Sequence, residues 1–207
     1  AATLTNNGTI QADVAGGAVT LSVTGLTTNN GTLAALNGGA LNLNSAVAGN
    51  VGSQILAGVG SVVAQNGVTV SGTVNAVGSG SFRPSNSGNN FLDTVNFSGT
   101  LDLASATGIE RVVNGLTFNA ATINIGSNSV LAPQGNQTLG GTGTIVFADN
   151  NASNRLNVEA GNLVVGSGIT VRGQTGFIGA QSFVGGAATL TNNGTIQADV
   201  AGGAITV

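Results

Sequence analysis

Seven carboxylates are the side chains of this 207-residue chain best suited to chemistry: Asp13, Asp93, Asp102, Glu110, Asp149, Glu159 and Asp199. Two or three acids converging on one cleft can cleave a glycosidic bond. Their placement argues against it. Asp13 and Asp199 fall at the same point of a segment that occurs twice. Asp102 lies between Leu101 and Leu103, so alternation turns it to solvent. On coils stacked about every 22 residues, Asp93, Asp102 and Glu110 take different angular positions. No catalytic residue is assigned, and the expectation is a protein that is not an enzyme. Glu110 and Arg111 read as a surface ion pair of small energy, with a lateral contact as the alternative.

Metal and cofactor chemistry fare no better. The run Gly140-Gly141-Thr142-Gly143-Thr144-Ile145 has the glycines of a calcium-binding nonapeptide and lacks its Asp. An oxygen site at Asp149 or Asp93 would need carbonyls as well. Gly-x-Gly pairs occur at 58/60, 78/80 and 166/168 without the third glycine of a dinucleotide loop. Six Asn-x-Ser/Thr sequons are what a chain with 26 Asn, 24 Thr and 16 Ser forms by accident. No metal and no cofactor is expected.

The residues that are missing narrow the field further. The chain has no His, Cys, Met, Trp, Tyr or Lys, and its net charge is −3. Imidazole bases, thiolate sites and Schiff-base lysines are therefore excluded. Four scattered Arg make no basic patch for nucleic acid. With 41% hydrophobic residues and weak charge, disorder is unlike this composition. No apolar run reaches the length of a transmembrane helix. Ala1 opens without a basic or secretory segment, so the chain reads as an internal piece of a longer one or as a processed one.

Repetition sets the architecture. Residues 1–21 (AATLTNNGTIQADVAGGAVTL) return at 187–207 (AATLTNNGTIQADVAGGAITV), with 19 of 21 positions identical at an offset of 186. The expected organisation is one unit at 1–186 and the start of the next at 187–207. A shorter period lies inside. Val19-Thr20-Leu21 is followed by Leu41-Asn42-Leu43, and Leu101-Asp102-Leu103 by Ile123-Asn124-Ile125, Ile145-Val146-Phe147 and Ile169-Thr170-Val171. The phrase Asn6-Asn7-Gly8-Thr9-Ile10 returns as Asn29-Asn30-Gly31-Thr32-Leu33.

Strands this short cannot bury a core alone, but stacked coils can. The pattern predicts an all-β solenoid of about 22 residues per coil, with Val, Leu, Ile and Ala inside and Asn and Thr ladders at the corners. Scarce aromatics suit a narrow interior. The competing fold is an antiparallel sandwich with Asn-Gly hairpins; its 8–12-residue repeat is shorter than the one seen. Residues 78–90 (GSGSFRPSNSGNN) break the register and read as a loop excursion, and 148–155 as a shorter one. Arg83, Pro84, Asn86, Asn89 and Asn90 form the candidate binding loop.

The LTNNGTIQAD phrase, the LGGTGTIVF run at 139–147 and LVVGSGITVRGQTGFIG at 163–179 resemble the repetitive β-helical regions of large bacterial secreted surface proteins. These include autotransporter passengers, filamentous-haemagglutinin-type exoproteins and giant adhesin-like proteins. The resemblance implies a right-handed parallel β-helix, secretion by a bacterium to the cell surface or outside the cell, and a role as stalk, fibre or adhesin. It transfers no catalytic residue. The near-identical 186-residue repetition is more regular than a typical adhesin passenger and favours a filament. A structural protein is therefore expected, and an adhesin binding surfaces or glycans through excursion loops is the alternative. Its partners would be its own neighbouring units, lateral copies and surface glycans, with no nucleic acid and no membrane-spanning segment.

Overall fold

Val, Leu and Ile alternating with Thr, Asn and Ala favour short extended segments, and the Gly and Asn between them permit tight corners. The computed structural model describes residues 1–180 and 185–207, and it is a parallel β-solenoid of about 9 turns with about 22 residues per turn. The first coil consists of strands Leu4–Asn6, Thr9–Ala12 and Ala18–Leu21. Thr27–Asn29, Thr32–Ala35 and Ala40–Leu43 form the second. Further along, the strands run around corners without a break, as in Phe91–Asp102 and Ile109–Ile125. Among the described residues every strand pairing is parallel, and the one helical element is the 3-10 turn Ala104–Ala106.

Three faces can be traced by register. On the first, Leu4 lies beside Thr27, followed by Val47, Val70, Leu92, Val112 and Pro133. On the second, Ile10 is followed by Leu33, Ile55, Val74, Phe97 and Phe118. On the third, Val19 is followed by Leu41, Val63, Phe82, Leu101, Ile123, Ile145, Val171 and Ile196. This last column joins Val19 of the first copy of the repeated segment to Ile196 of the second. Ile196 is the counterpart of Ile10, which lies on the second face. The segment thus re-enters the solenoid one face further round, after about eight and one-third turns per 186 residues.

The expected triplet register holds for Val19 with Leu41 and for Leu101, Ile123 and Ile145. It slips afterwards, because Ile145 pairs with Val171 and not with Ile169. The extra residues are absorbed between the strands Gln137–Phe147 and Ile169–Gly173. The segment 78–90 is also more regular than its composition suggests. Ser81–Pro84 is a strand that pairs in full register with Val62–Gln65. Phe82 and Pro84 are buried there, and Pro84 is tolerated as the strand's last residue. Only residues 86–89 project.

The interior is a continuous apolar column, and it is wider than the scarcity of aromatics implied. Phe82, Phe97, Phe118 and Phe147 are all buried in it, Phe82 meeting Phe97 edge to face at 6.0 Å. Glycine compensates for their bulk. A Cβ at Gly176 would lie 2.3 Å from the Phe147 ring, and one at Gly143 2.7 Å from that of Phe118.

Asparagine lines the corners. Asn6 Nδ2 donates to Asn29 Oδ1 at 2.8 Å, and Asn29 Nδ2 donates to the Gln54 carbonyl at 3.1 Å. Beside them Asn30 Nδ2 donates to Asn7 Oδ1 at 2.7 Å, and at another corner Asn66 Nδ2 donates to Asn44 Oδ1 at 2.8 Å. Each amide both donates and accepts, so one side chain can satisfy a neighbour on either side. Asn29 is fully buried. Asn29→Ala is therefore expected to cost about 1–3 kcal/mol in urea unfolding. The outward Thr28→Ala should stay within about 0.5 kcal/mol.

Candidate functional site

Strand alternation decides where each acid points, because consecutive residues face opposite sides. Glu110 turns into the solenoid and is 0% exposed, while Arg111 turns out. The expected surface ion pair between them is therefore absent. Arg111 lies 4.7 Å over the Phe91 ring and donates to Gln134 Oε1 at 2.7 Å. Asp93 faces outward and accepts from Asn114 Nδ2 at 2.8 Å.

Asp102 was expected to face solvent and does not; it is 9% exposed. It accepts from the Ser105 N–H at 3.1 Å and the Ser105 hydroxyl at 2.5 Å, and its Oδ2 lies 3.2 Å from Arg83 Nε. The 3-10 turn after Leu103 folds back over it, a local feature that alternation cannot foresee. Asp93, Asp102 and Glu110 thus have separate surroundings. Among the described residues no three acids gather where they could hold a metal ion.

Burial pushes the Glu110 carboxyl well above its ordinary 4.5, and the nearby Arg111 N–H, Gln65 amide and Leu92 N–H offset only part of that. Neither carboxyl oxygen completes a hydrogen bond, and Gln65 Oε1, also buried, lacks a donor. A neutral, protonated Glu110 is the form this environment favours.

Asp149 behaves differently. Desolvation works to raise its carboxyl, but Asn154 Nδ2 and the N–H groups of Ser127 and Asn151 outweigh it and hold the group below 3.8. These donors lie at 2.6, 2.6 and 3.1 Å. The carboxylate that sequence offered as a calcium ligand serves to order the turns around it.

The five candidate loop residues are divided by the fold. Pro84 and Asn90 are buried, Arg83 is half-buried against Asp102, and Asn86 and Asn89 are exposed. Asn90 closes the base of the projection. Its Nδ2 donates to the Ser85 carbonyl at 2.8 Å and the Ile109 carbonyl at 3.0 Å, while its Oδ1 accepts from the Gly67 N–H at 2.7 Å.

A second feature was visible only as a repeat in the sequence. Residues 188–206 dock on the preceding coil through three parallel pairings, Ala188–Asn192 on Gly161–Val165, Thr195–Ala198 on Thr170–Gly173, and Ile205–Thr206 on Gly176–Phe177. Leu190, Ile196 and Ile205 pack on the core, as Leu4, Ile10 and Val19 do in the first coil. Asp199 Oδ2 accepts from Arg172 Nε at 2.6 Å, and Asp199 Oδ1 from the Gly173 N–H at 3.0 Å. Desolvation opposes ionisation of Asp199, but Arg172 and Gly173 hold its carboxyl below the ordinary value. Asp13, its counterpart in the first coil, accepts from Gln11 Nε2 at 2.9 Å.

Comparisons with protein-family models, curated proteins and solved structures found no match to the chain. Among the described residues no helix is long and apolar enough to cross a membrane.

The buried acid gives a signed expectation. Because folding raises the Glu110 pKa, its contribution to stability is greatest below about 4.5 and falls as pH rises toward the folded value. Within that window the slope approaches about 1.4 kcal/mol per pH unit. Glu110→Gln should remove this slope and unfold at higher urea than the parent at pH 7. Urea titrations across pH 4 to 8 check both.

Proposed function

We propose that this chain is a structural protein, a β-solenoid whose 186-residue units continue into one another as a bacterial, extracellular or cell-surface fibre or stalk. The observation that carries the reading is the docked coil. The repeated segment takes three-strand form at both ends of the unit, and its second copy extends the same parallel ladder and apolar column. A unit that ends by beginning the next has no need of a terminal cap between units. Backbone hydrogen bonds along the axis, with Asn ladders beside them, supply stiffness. At about 4.8 Å per coil, each unit adds about 40 Å of length. Electron micrographs of an array of several units should show rods that lengthen by about that amount per unit, and compact globules would refute the reading.

A second reading, an adhesin contacting glycans or surfaces, is favoured by one feature. Residues 86–89 project from the wall, and two of them, Asn86 and Asn89, are exposed. Replacing 86–89 with a short Gly-containing turn, leaving Asn90 in place, should then abolish attachment to glycan-coated surfaces while far-UV circular dichroism is unchanged. Attachment that survives the replacement would eliminate this loop as the binding element.

A further inference from the structure

Asparagine followed by glycine is open to self-modification. With no side chain in the way, the glycine amide nitrogen can reach the asparagine Cγ, close a five-membered succinimide and expel ammonia. The chain has six such pairs, at 7/8, 30/31, 37/38, 66/67, 114/115 and 193/194. A glycine N–H already donating to an oxygen is held back, because that bond must be given up before the nitrogen attacks. Side chains hold five of the six in this way. Gly8 N–H donates to Asn6 Oδ1 at 3.2 Å, Gly31 N–H to Asn29 Oδ1 at 3.3 Å and Gly194 N–H to Asn192 Oδ1 at 3.1 Å. Gly38 N–H donates to Ser61 Oγ at 3.0 Å, and Gly67 N–H to Asn90 Oδ1 at 2.7 Å.

Gly115 differs. Among the described residues no side-chain oxygen accepts from its N–H. The ladder also passes over it, since Val113 pairs with Asp93 and Leu116 with Val95, leaving Asn114 and Gly115 out of register in a bulge. Asn114 is exposed there in the left-handed region at φ 57°, beside Gly115 at φ 109°. The place where a Cβ of Gly115 would lie is open space, which leaves room for the ring.

We propose that Asn114 is a built-in modification site, where this corner loses ammonia and gains a carboxylate as the protein ages. The Gly115 nitrogen, deprotonated by hydroxide, bonds to Asn114 Cγ. The Cγ–Nδ2 bond breaks, and Nδ2 leaves as ammonia with a proton from water. Water then opens the ring at either carbonyl and leaves aspartate or isoaspartate at position 114. One water is taken up and one ammonia released, with no change of oxidation state. The product reverses the contact between coils. Asn114 Nδ2 donates to Asp93 Oδ1 at 2.8 Å, and a carboxylate in its place sets two like charges against each other. The inference goes beyond the fibre reading and does not rest on it.

The test incubates the folded chain at mildly alkaline pH, then maps it by peptic digestion and mass spectrometry. Isoaspartate is read separately, by methyl transfer from an isoaspartyl methyltransferase. Position 114 should convert about fivefold faster than any other Asn-Gly pair, the factor that one hydrogen bond on the glycine N–H imposes. In concentrated urea the six rates should converge. Ser61→Ala removes the acceptor of the Gly38 N–H, so it should raise conversion at Asn37 by a similar factor and leave position 114 unchanged. Asn114→Asp stands for the product. It should lower the urea midpoint, and adding Asp93→Asn should restore it. If another pair converts as fast as position 114 in the folded chain, or if the order persists in urea, the proposal is overturned. Ser61→Ala with native far-UV circular dichroism and no gain at Asn37 overturns the protection by hydrogen bonding on which it rests. An Asn114→Asp midpoint equal to the parent's overturns the effect on the coil contact.

Discussion

Parallel hydrogen bonding between successive coils is the constraint on which everything else in this molecule depends. It places each residue beside the one in the same register a turn earlier, at about 4.8 Å. A side chain must therefore tolerate its neighbours on two sides. Asn satisfies that condition by donating one way and accepting the other, as Asn29 does between Asn6 and Gln54. A charge stacked on its like is destabilising. Several of the charges are accordingly met by partners on adjacent coils: Asp93 by Asn114, Arg111 by Gln134 and Arg172 by Asp199. The near-neutral composition follows from the stacking.

Inside, the same rule acts on volume. The column must keep its cross-section from coil to coil, so a large ring has to be offset by the loss of a side chain. Phe147 over Gly176 and Phe118 beside Gly143 are the two clearest cases. Glu110 is an exception to the apolar rule, since its column continues through Leu131, Leu156 and Ile178. A carboxyl can remain there at modest cost only as the neutral acid. The interior is therefore a place where this acid is stored away from solvent, unable to approach Asp93 or Asp102.

The solenoid was legible because its signals repeat. The Asn6-to-Ile10 phrase and its copy at Asn29 to Leu33 pair residue for residue as their spacing predicts. Legibility fails where a corner or a short turn intervenes. Corners absorb insertions without moving the faces, which hides the pairing of Ile145 with Val171. Pro84 disguises a strand that alternation would otherwise expose, and the 3-10 turn after Leu103 reverses the expected exposure of Asp102. Glu110 and Arg111 look like partners in the one-letter string and are separated by the strand itself. The docking of the final coil was encoded in the duplication, but the one-third turn between copies required the full set of registers.

That one-third turn constrains the segment that repeats. Leu4 joins the column of Thr27, Val47 and Val70, whereas its counterpart Leu190 stacks on Leu163 and Gln137. The same 21 residues must therefore fit two different faces of the wall, which is feasible only if the faces have nearly the same width and the contact residues are interchangeable aliphatics. The two substitutions between copies, Val19 to Ile205 and Leu21 to Val207, respect that limit. In an array of such units, any feature of the wall would recur about 40 Å further along and a third of a turn around, returning to the same side after three units, about 120 Å. Projections such as residues 86–89 would then be distributed around the axis, with no side free of them. A lateral contact between two such rods would be limited to every third unit, so the axial contacts, repeated at every coil, are the ones that can accumulate.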